Sequence, residues 1–151
     1  MKDGNIMESQ IFPYANIIVG VLVLIVGFGL HFIGQLISLV NRDLAVKMTI
    51  WEKEMIPEFE VYEKAIAAAD VMIGWIYGIA AVGLILNVEW AYKLVWIPGI
   101  VLVYHGLSSW FWAGNQNKLG RSLHTNRFRI TWSTANLITG ILAIFIAWNF
   151  Y

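Results

Sequence analysis

Long apolar segments alternate with shorter polar stretches along the 151 residues of the chain. The apolar segments run at about 17–40, 65–86, 94–113 and 130–150. Each holds roughly 20 residues, the length that an α-helix needs to cross the hydrocarbon core of a bilayer. The pattern therefore predicts an all-α integral membrane protein, a four-transmembrane-helix bundle that forms a single domain over residues 1–151.

The polar stretch 41–64, between the first two apolar segments, has a helical pattern of its own. Large apolar side chains recur at spacings of three and four in it and just after it, at Trp51, Met55, Phe59, Tyr62 and Ile66. This period is typical of an amphipathic helix with one face on the membrane surface. We expect a cytoplasmic interfacial helix at about 44–56 and one longer helix over 57–86, because proline is favoured in the first turn of a helix.

Composition agrees with a membrane protein and removes several classes of function. Hydrophobic residues make up 59% of the chain and charged residues 13%, whereas a soluble domain is about half apolar and about a quarter charged. The chain has no cysteine, which excludes disulfides, cysteine-ligated zinc, iron–sulfur clusters and thiol catalysis. Its formal net charge of zero gives no basic field for nucleic acid. No serine-nucleophile, phosphate-loop or HExxH motif is present, so enzymatic activity stays uncertain and a non-catalytic role is favoured.

Basic residues are distributed unequally between the polar stretches. The stretches 41–64 and 114–129 contain four lysines and arginines each, and the rest of the chain contains only Lys2 and Lys93. Because positively charged loops stay in the cytoplasm, we expect both stretches there and both termini outside, in a multipass protein of the cell membrane. The 114–129 stretch, which includes His124, would face anionic lipid head groups or an acidic partner.

Polar residues occur at similar depths in all four apolar segments: His31, Gln35, Asp70, His105 and Asn136. At the helical rise they fall within roughly 7–14 Å of the predicted cytoplasmic surface. A charge at the centre of a membrane helix costs at least ~2.5–3.5 kcal/mol, so such residues often mark a site. We call these five residues the polar layer.

Helical spacing indicates that the polar layer faces other helices. His31 shares a face with Gly27 and Gly34, and Asp70 shares a face with Gly74. Small residues allow membrane helices to approach closely. These glycine seams predict burial of the polar layer, and they would also suit packing against other membrane-protein subunits or a second copy of the chain.

Each of these polar residues also has a purely structural explanation. A single histidine in a membrane helix can bind a hydroxyl or a backbone carbonyl of its neighbour and so hold two helices together. Asp70 is close enough to the cytoplasmic surface to be hydrated, or to pair with Lys64 or Arg129.

Three functions are compatible with the polar layer. The first prediction is a small non-catalytic subunit of a larger membrane complex. The second is a membrane anchor that binds haem b or a quinone through His31 and His105, supported by Gln35 and Asp70; two imidazoles and one carboxylate also suit a non-haem metal ion. The third is a proton-coupled carrier of small solutes that uses Asp70.

Overall fold

The computed structural model describes residues 12–51, 53, 56–120 and 126–150, with the backbone alone described at 126–128. All the regular structure in these residues is helical, which confirms the predicted all-α fold. The helices are α1 (Ala15–Val40), α2 (Arg42–Lys47), α3 (Pro57–Ile73), α4 (Trp75–Ile85), α5 (Glu89–Leu94), α6 (Trp96–Lys118) and α7 (Asn126–Asn149).

Three helical stretches of the described residues are long and apolar enough to cross a membrane. They are α1, the Glu89–Lys118 stretch that α5 and α6 form together, and the Arg129–Asn149 part of α7. The α3–α4 pair meets the same criterion only as a unit, and it bends by 45° between its two helices. The described chain therefore has three candidate spans, or four if the bent pair is one span.

The bend at Gly74 corrects the expectation of one continuous helix over 57–86. Phe32 of α1 packs directly on the Gly74 backbone, so that a Cβ on Gly74 would lie 2.9 Å from the Phe32 Cβ. The hydrogen-bond ladder also tightens here, because the Tyr77 amide donates to the Gly74 carbonyl only three residues before it. A helix that lacks a side chain where its neighbour presses on it is a common place for a kink.

The middle of α1 is a π-helix over Val23–Gly34, flanked by α-helical turns. Such a run is unusual, because π-helices are mostly single turns, and these are frequently found at functional sites. Nearly all side chains in this segment are apolar or absent, and His31 is its one titratable residue. The wider turn therefore falls in the part of α1 that carries His31.

The helix between the first two segments is shorter than expected. It ends at Lys47 rather than near residue 56, because the chain reverses at Thr49, whose φ is 58°. The Thr49 amide donates to the Val46 carbonyl and the Ile50 amide to the Ala45 carbonyl, which is a Schellman C-cap. The turn places Ile50 beside Gly34 of α1.

Aromatic side chains of α1 and of the bent pair interlock through glycines. Phe28 of α1 lies on Gly78, and Tyr77 of α4 lies on Gly27, in each case within 3 Å of where a Cβ would stand. A second tight pair joins α6 and α7, and α1 also contacts α7. This arrangement places α1 between the α3–α4 pair and the α6–α7 pair.

The two ends of the bundle differ in polarity. The apolar core lies towards the end formed by the start of α1, the end of α4, α5 and the end of α7, with Val19, Leu84, Val95 and Ile146 among its members. The polar layer lies towards the opposite end, where α1 meets α2 and α3. The second end therefore holds the buried polar side chains His31, Gln35, Asp70 and Asn136.

Candidate functional site

Asp70 binds two histidines from two other helices. Its Oδ2 lies 3.2 Å from Nδ1 of His31, and its Oδ1 lies 3.0 Å from Nε2 of His105. Asp70 and His31 are buried to 1% exposure each, while His105 keeps 14% of its side-chain surface exposed. The imidazole centroids are 4.5 Å apart. We call these three residues the His–Asp–His cluster.

Asn136 of α7 extends the cluster to a fourth helix. Its Oδ1 lies 2.6 Å from Nε2 of His31, and its Nδ2 donates to the Trp132 carbonyl at 3.0 Å. The Trp132 indole packs against the His31 ring, with centroids 5.0 Å apart. His31 is thus held between a carboxylate on α3 and an amide on α7, and both of its ring nitrogens have a partner.

Close helix contacts hold these side chains in register. Tyr77 packs on Gly27, one turn before His31, and its ring centroid is 6.1 Å from that of His31. On the other side, Gly106 follows His105 directly and packs against Leu137, which follows Asn136. Because glycine allows backbones to approach closely, both contacts draw the polar side chains of neighbouring helices within bonding distance.

A cavity of about 300 Å³ opens beside the cluster. All three residues of the His–Asp–His cluster line it, and so do the Thr49 turn and the first turns of α3. Its other walls include aromatic rings and hydroxyl groups, from Phe59, Tyr62, Trp112, Trp132, Ser108 and Ser109. The Tyr62 and Trp112 rings stack on each other, with centroids 4.9 Å apart and planes inclined by 17°, and the Phe59 ring stacks on Trp112 with centroids 6.1 Å apart.

Two buried polar atoms on residues that line the cavity have no hydrogen-bond partner among the described residues. They are Oε1 of Gln35, whose residue is 8% exposed, and Nε1 of Trp112. A buried polar atom without a partner costs about 1–3 kcal/mol. Five further buried polar atoms of the described residues also lack a partner, so these two atoms do not by themselves mark a ligand site.

The structure brings together three of the four residues predicted for the site. His31, Asp70 and His105 converge, whereas the side-chain oxygen of Gln35 bonds to neither histidine, although Gln35 is among the residues that line the cavity. The alternative partners of Asp70 are engaged elsewhere. Lys64 pairs with Glu60 at 2.8 Å, and the Arg129 guanidinium lies 4.1 Å from the centroid of the Trp110 ring.

The two imidazoles do not flank a haem in this arrangement. Their centroids are only 4.5 Å apart. The Asp70 carboxylate already lies against one nitrogen of each ring, Nδ1 of His31 and Nε2 of His105. A macrocycle between the rings would require Asp70 to leave and the helices to separate. The haem alternative does not fit this geometry, while the cluster remains suited to a polar ligand group or a metal ion.

Sequence reasoning did not assign Trp132, Tyr62 and Trp112 to the site. Asn136 was recognised as part of the polar layer by its depth, but its bond to His31 was not foreseen. Trp132 lies four residues before Asn136, so helical spacing could have placed it on the same face. The stacking of Tyr62 on Trp112 depends on how α3 meets α6, which no local pattern reveals.

Comparisons with known proteins identify no relative. No family model matches the chain, and no match is found among curated proteins or solved structures.

Proposed function

We propose that this protein is a membrane-embedded receptor for a small, flat, amphipathic molecule of the quinone type. The molecule would occupy the cavity of about 300 Å³ with its polar group towards the His–Asp–His cluster. The observation that carries this proposal is that an aromatic-walled cavity ends on buried, titratable side chains. Ligand sites are commonly apolar clefts of roughly 300–1,000 Å³ with a few well-placed polar groups.

The membrane placement follows the charge distribution. We propose four spans, with the bent α3–α4 pair as the second, both termini outside, and residues 41–64 and 114–129 in the cytoplasm. The surfaces of α1, α6 and α7 support insertion, since large apolar side chains such as Ile25, Ile100 and Ile141 are more than half exposed on them. The cavity then opens near the cytoplasmic face, at the depth of lipid head groups.

A quinone-type ring matches the chemistry of the cavity. A flat ring suits a cavity that is lined largely by aromatic side chains, and its carbonyl oxygens suit hydroxyl donors such as those of Ser108 and Ser109. The hydroxyl groups of the reduced form would find acceptors in the His–Asp–His cluster, all three members of which line the cavity. The volume lies at the lower end for ligand sites, which favours a molecule of one or two rings over a larger cofactor.

The carrier alternative has less support from the same structure. A carrier needs polar groups that continue across the membrane. Beyond the cluster, the described helices are packed with apolar and small side chains such as Val19, Leu84 and Leu102.

The subunit function remains a prediction, but the glycine seams do not argue for it. Gly20, Gly27, Gly74, Gly78 and Gly106 all pack on other helices of the same chain. They are therefore occupied within the bundle and are not free to receive a partner.

Binding can be tested by calorimetric titration of the purified full chain, in detergent and with a chelator present, with a short-chain ubiquinone analogue. The matched variants are Ile66→Trp, which fills the cavity, and Ile100→Trp, which adds the same bulk on an outward-facing, 57% exposed position. We expect saturable binding by wild type and by Ile100→Trp, and at least a ten-fold loss of affinity in Ile66→Trp. Equal binding by the two variants, or none by the wild type, would refute the proposal.

A further inference from the structure

Hydrogen-bond directions determine which nitrogen of His31 carries a proton. The Asn136 amide nitrogen donates to the Trp132 carbonyl, so the atom that faces His31 is the amide oxygen, an acceptor. Nε2 of His31 lies 2.6 Å from that oxygen and must therefore donate. A neutral imidazole has one N–H, so Nδ1 presents a lone pair.

That lone pair faces a carboxylate. Nδ1 of His31 is 3.2 Å from Oδ2 of Asp70, and two acceptors at this distance repel each other unless a positive charge lies between them. A proton or a metal ion can supply that charge. The cluster is thus built to hold a cation.

We propose that the cation is a divalent transition-metal ion of the Zn²⁺ class, bound by Nδ1 of His31, a carboxylate oxygen of Asp70 and Nε2 of His105. One potential ligand atom from each residue lies within 4.8 Å of the others. Tetrahedral bonds of about 2.0–2.1 Å place neighbouring ligand atoms roughly 3.3–3.4 Å apart. Nδ1 of His31 lies 3.2 Å from one Asp70 oxygen, Oδ2, and Nε2 of His105 lies 3.0 Å from the other, Oδ1, so each nitrogen is already near that spacing from the carboxylate.

Asn136 acts on this site as a positioning residue. A metal-ligating histidine almost always donates its other N–H to an oxygen acceptor, which fixes the tautomer and the ring orientation. The bond from His31 to Asn136 has this form, and it leaves Nδ1 directed at Asp70. The second shell expected of a metal centre is therefore present on α7.

The surroundings favour a cation and leave room for its fourth ligand. Two carboxylates, those of Asp70 and Glu63, line the cavity, whereas no lysine or arginine among the residues that the structure describes does. All three proposed ligands border the cavity, so a water molecule or an oxygen of a bound molecule can complete the coordination. Metal binding itself requires no organic molecule, so the metal site can be tested separately from the proposed receptor function.

The test is a titration of the chelator-stripped full chain in detergent with Co²⁺, whose visible absorption reports tetrahedral coordination. We expect about one ion per chain, displaced by Zn²⁺. His105→Gln and Asp70→Asn should each weaken binding by more than about 100-fold, and Asn136→Leu by about 10–100-fold, as second-shell changes do. His124→Gln, at the third histidine of the sequence and outside the described residues, is the control for adventitious binding.

The outcomes separate a metal ion from a proton. Absence of stoichiometric Co²⁺ binding by the folded wild type, or equal loss in His124→Gln and His105→Gln, would overturn the proposal and assign the cation as a proton. Because Asp70 is fully buried, its variant could fail to fold; His105, at the cavity edge, then carries the test, with circular dichroism to verify folding. Quinone binding by a folded wild type that takes up no Co²⁺ in the titration would refute this inference and leave the proposed receptor function in place.

Discussion

The contact between α6 and α7 gives the sharpest stability prediction, because it is made by backbone atoms that cannot rotate away. A Cβ on Gly140 would lie 2.8 Å from the Gly99 carbonyl oxygen and 2.8 Å from the Val103 amide nitrogen. Ordinary Cβ contacts begin at 3.4 Å, so Gly140→Ala must push the two helices apart by roughly 0.6 Å. The perturbation is one methyl group, and the response is a shift of a whole helix.

The cost follows from that displacement. A gap of 0.5–1 Å already forfeits about a quarter to a half of the dispersion attraction between facing atoms, and overpacking typically costs about 1–3 kcal/mol. Alanine recovers up to about 1 kcal/mol of helix propensity, so we expect a net loss of about 1–2 kcal/mol. Gly140 lies one turn after Asn136, so the same shift should also weaken Co²⁺ binding.

The matched control is Gly29→Ala in α1. The nearest atom to a Cβ there is the Leu24 carbonyl oxygen at 3.5 Å, an ordinary contact. This variant should be neutral or more stable by up to about 1 kcal/mol. Unfolding in mixed micelles of increasing sodium dodecyl sulfate, followed by tryptophan fluorescence, compares the two. If Gly140→Ala is as stable as Gly29→Ala, the close α6–α7 contact described above is wrong.

Three further predictions concern the turn, the cavity and the topology. Thr49→Gly should raise stability in the same unfolding assay by about 1 kcal/mol, because a β-branched residue is strained at a φ of 58°; a loss would argue against the Schellman turn. Gln35→Leu should leave stability unchanged or raise it, by removing an unpaired buried oxygen, yet lower quinone affinity in the calorimetric titration; unchanged affinity would exclude Gln35 from the site. A cysteine at Asn117 should react with a membrane-impermeant maleimide only in inside-out vesicles, and reaction from outside intact cells would invert the proposed topology.

The sequence predicted the features that depend only on residue spacing within one helix. Apolar runs of about 20 residues predict membrane-crossing helices, and residues three or four apart on a helix share a face. For that reason the burial of His31 and Asp70 beside glycines was predictable, and both are 1% exposed.

Features that depend on how helices rotate and meet were not predictable. Depth along a helix places His31 and His105 at one height, but their contact depends on the rotation and neighbours of α1 and α6. The π-helix in α1 was not visible either, because its residues are almost uniformly apolar and give no periodic signal that distinguishes one helical register from another. The end of α2 at Lys47 was missed because the turn residue is Thr49, where glycine is the usual signal.

The hydrogen bonds within the His–Asp–His cluster indicate that it does more than link helices to each other. His31 alone joins α3 to α7, since its two nitrogens reach Asp70 and Asn136, and packing explains its burial. His105 adds a second imidazole to an already bonded carboxylate, at the edge of a cavity and with part of its surface exposed. A structural link between helices needs no such residue, and a further ionisable group that is largely buried carries a desolvation cost. The presence of His105 is explained when the cavity receives a ligand or the cluster a metal ion, so His105 is the residue on which a structural role and a binding role make opposite predictions.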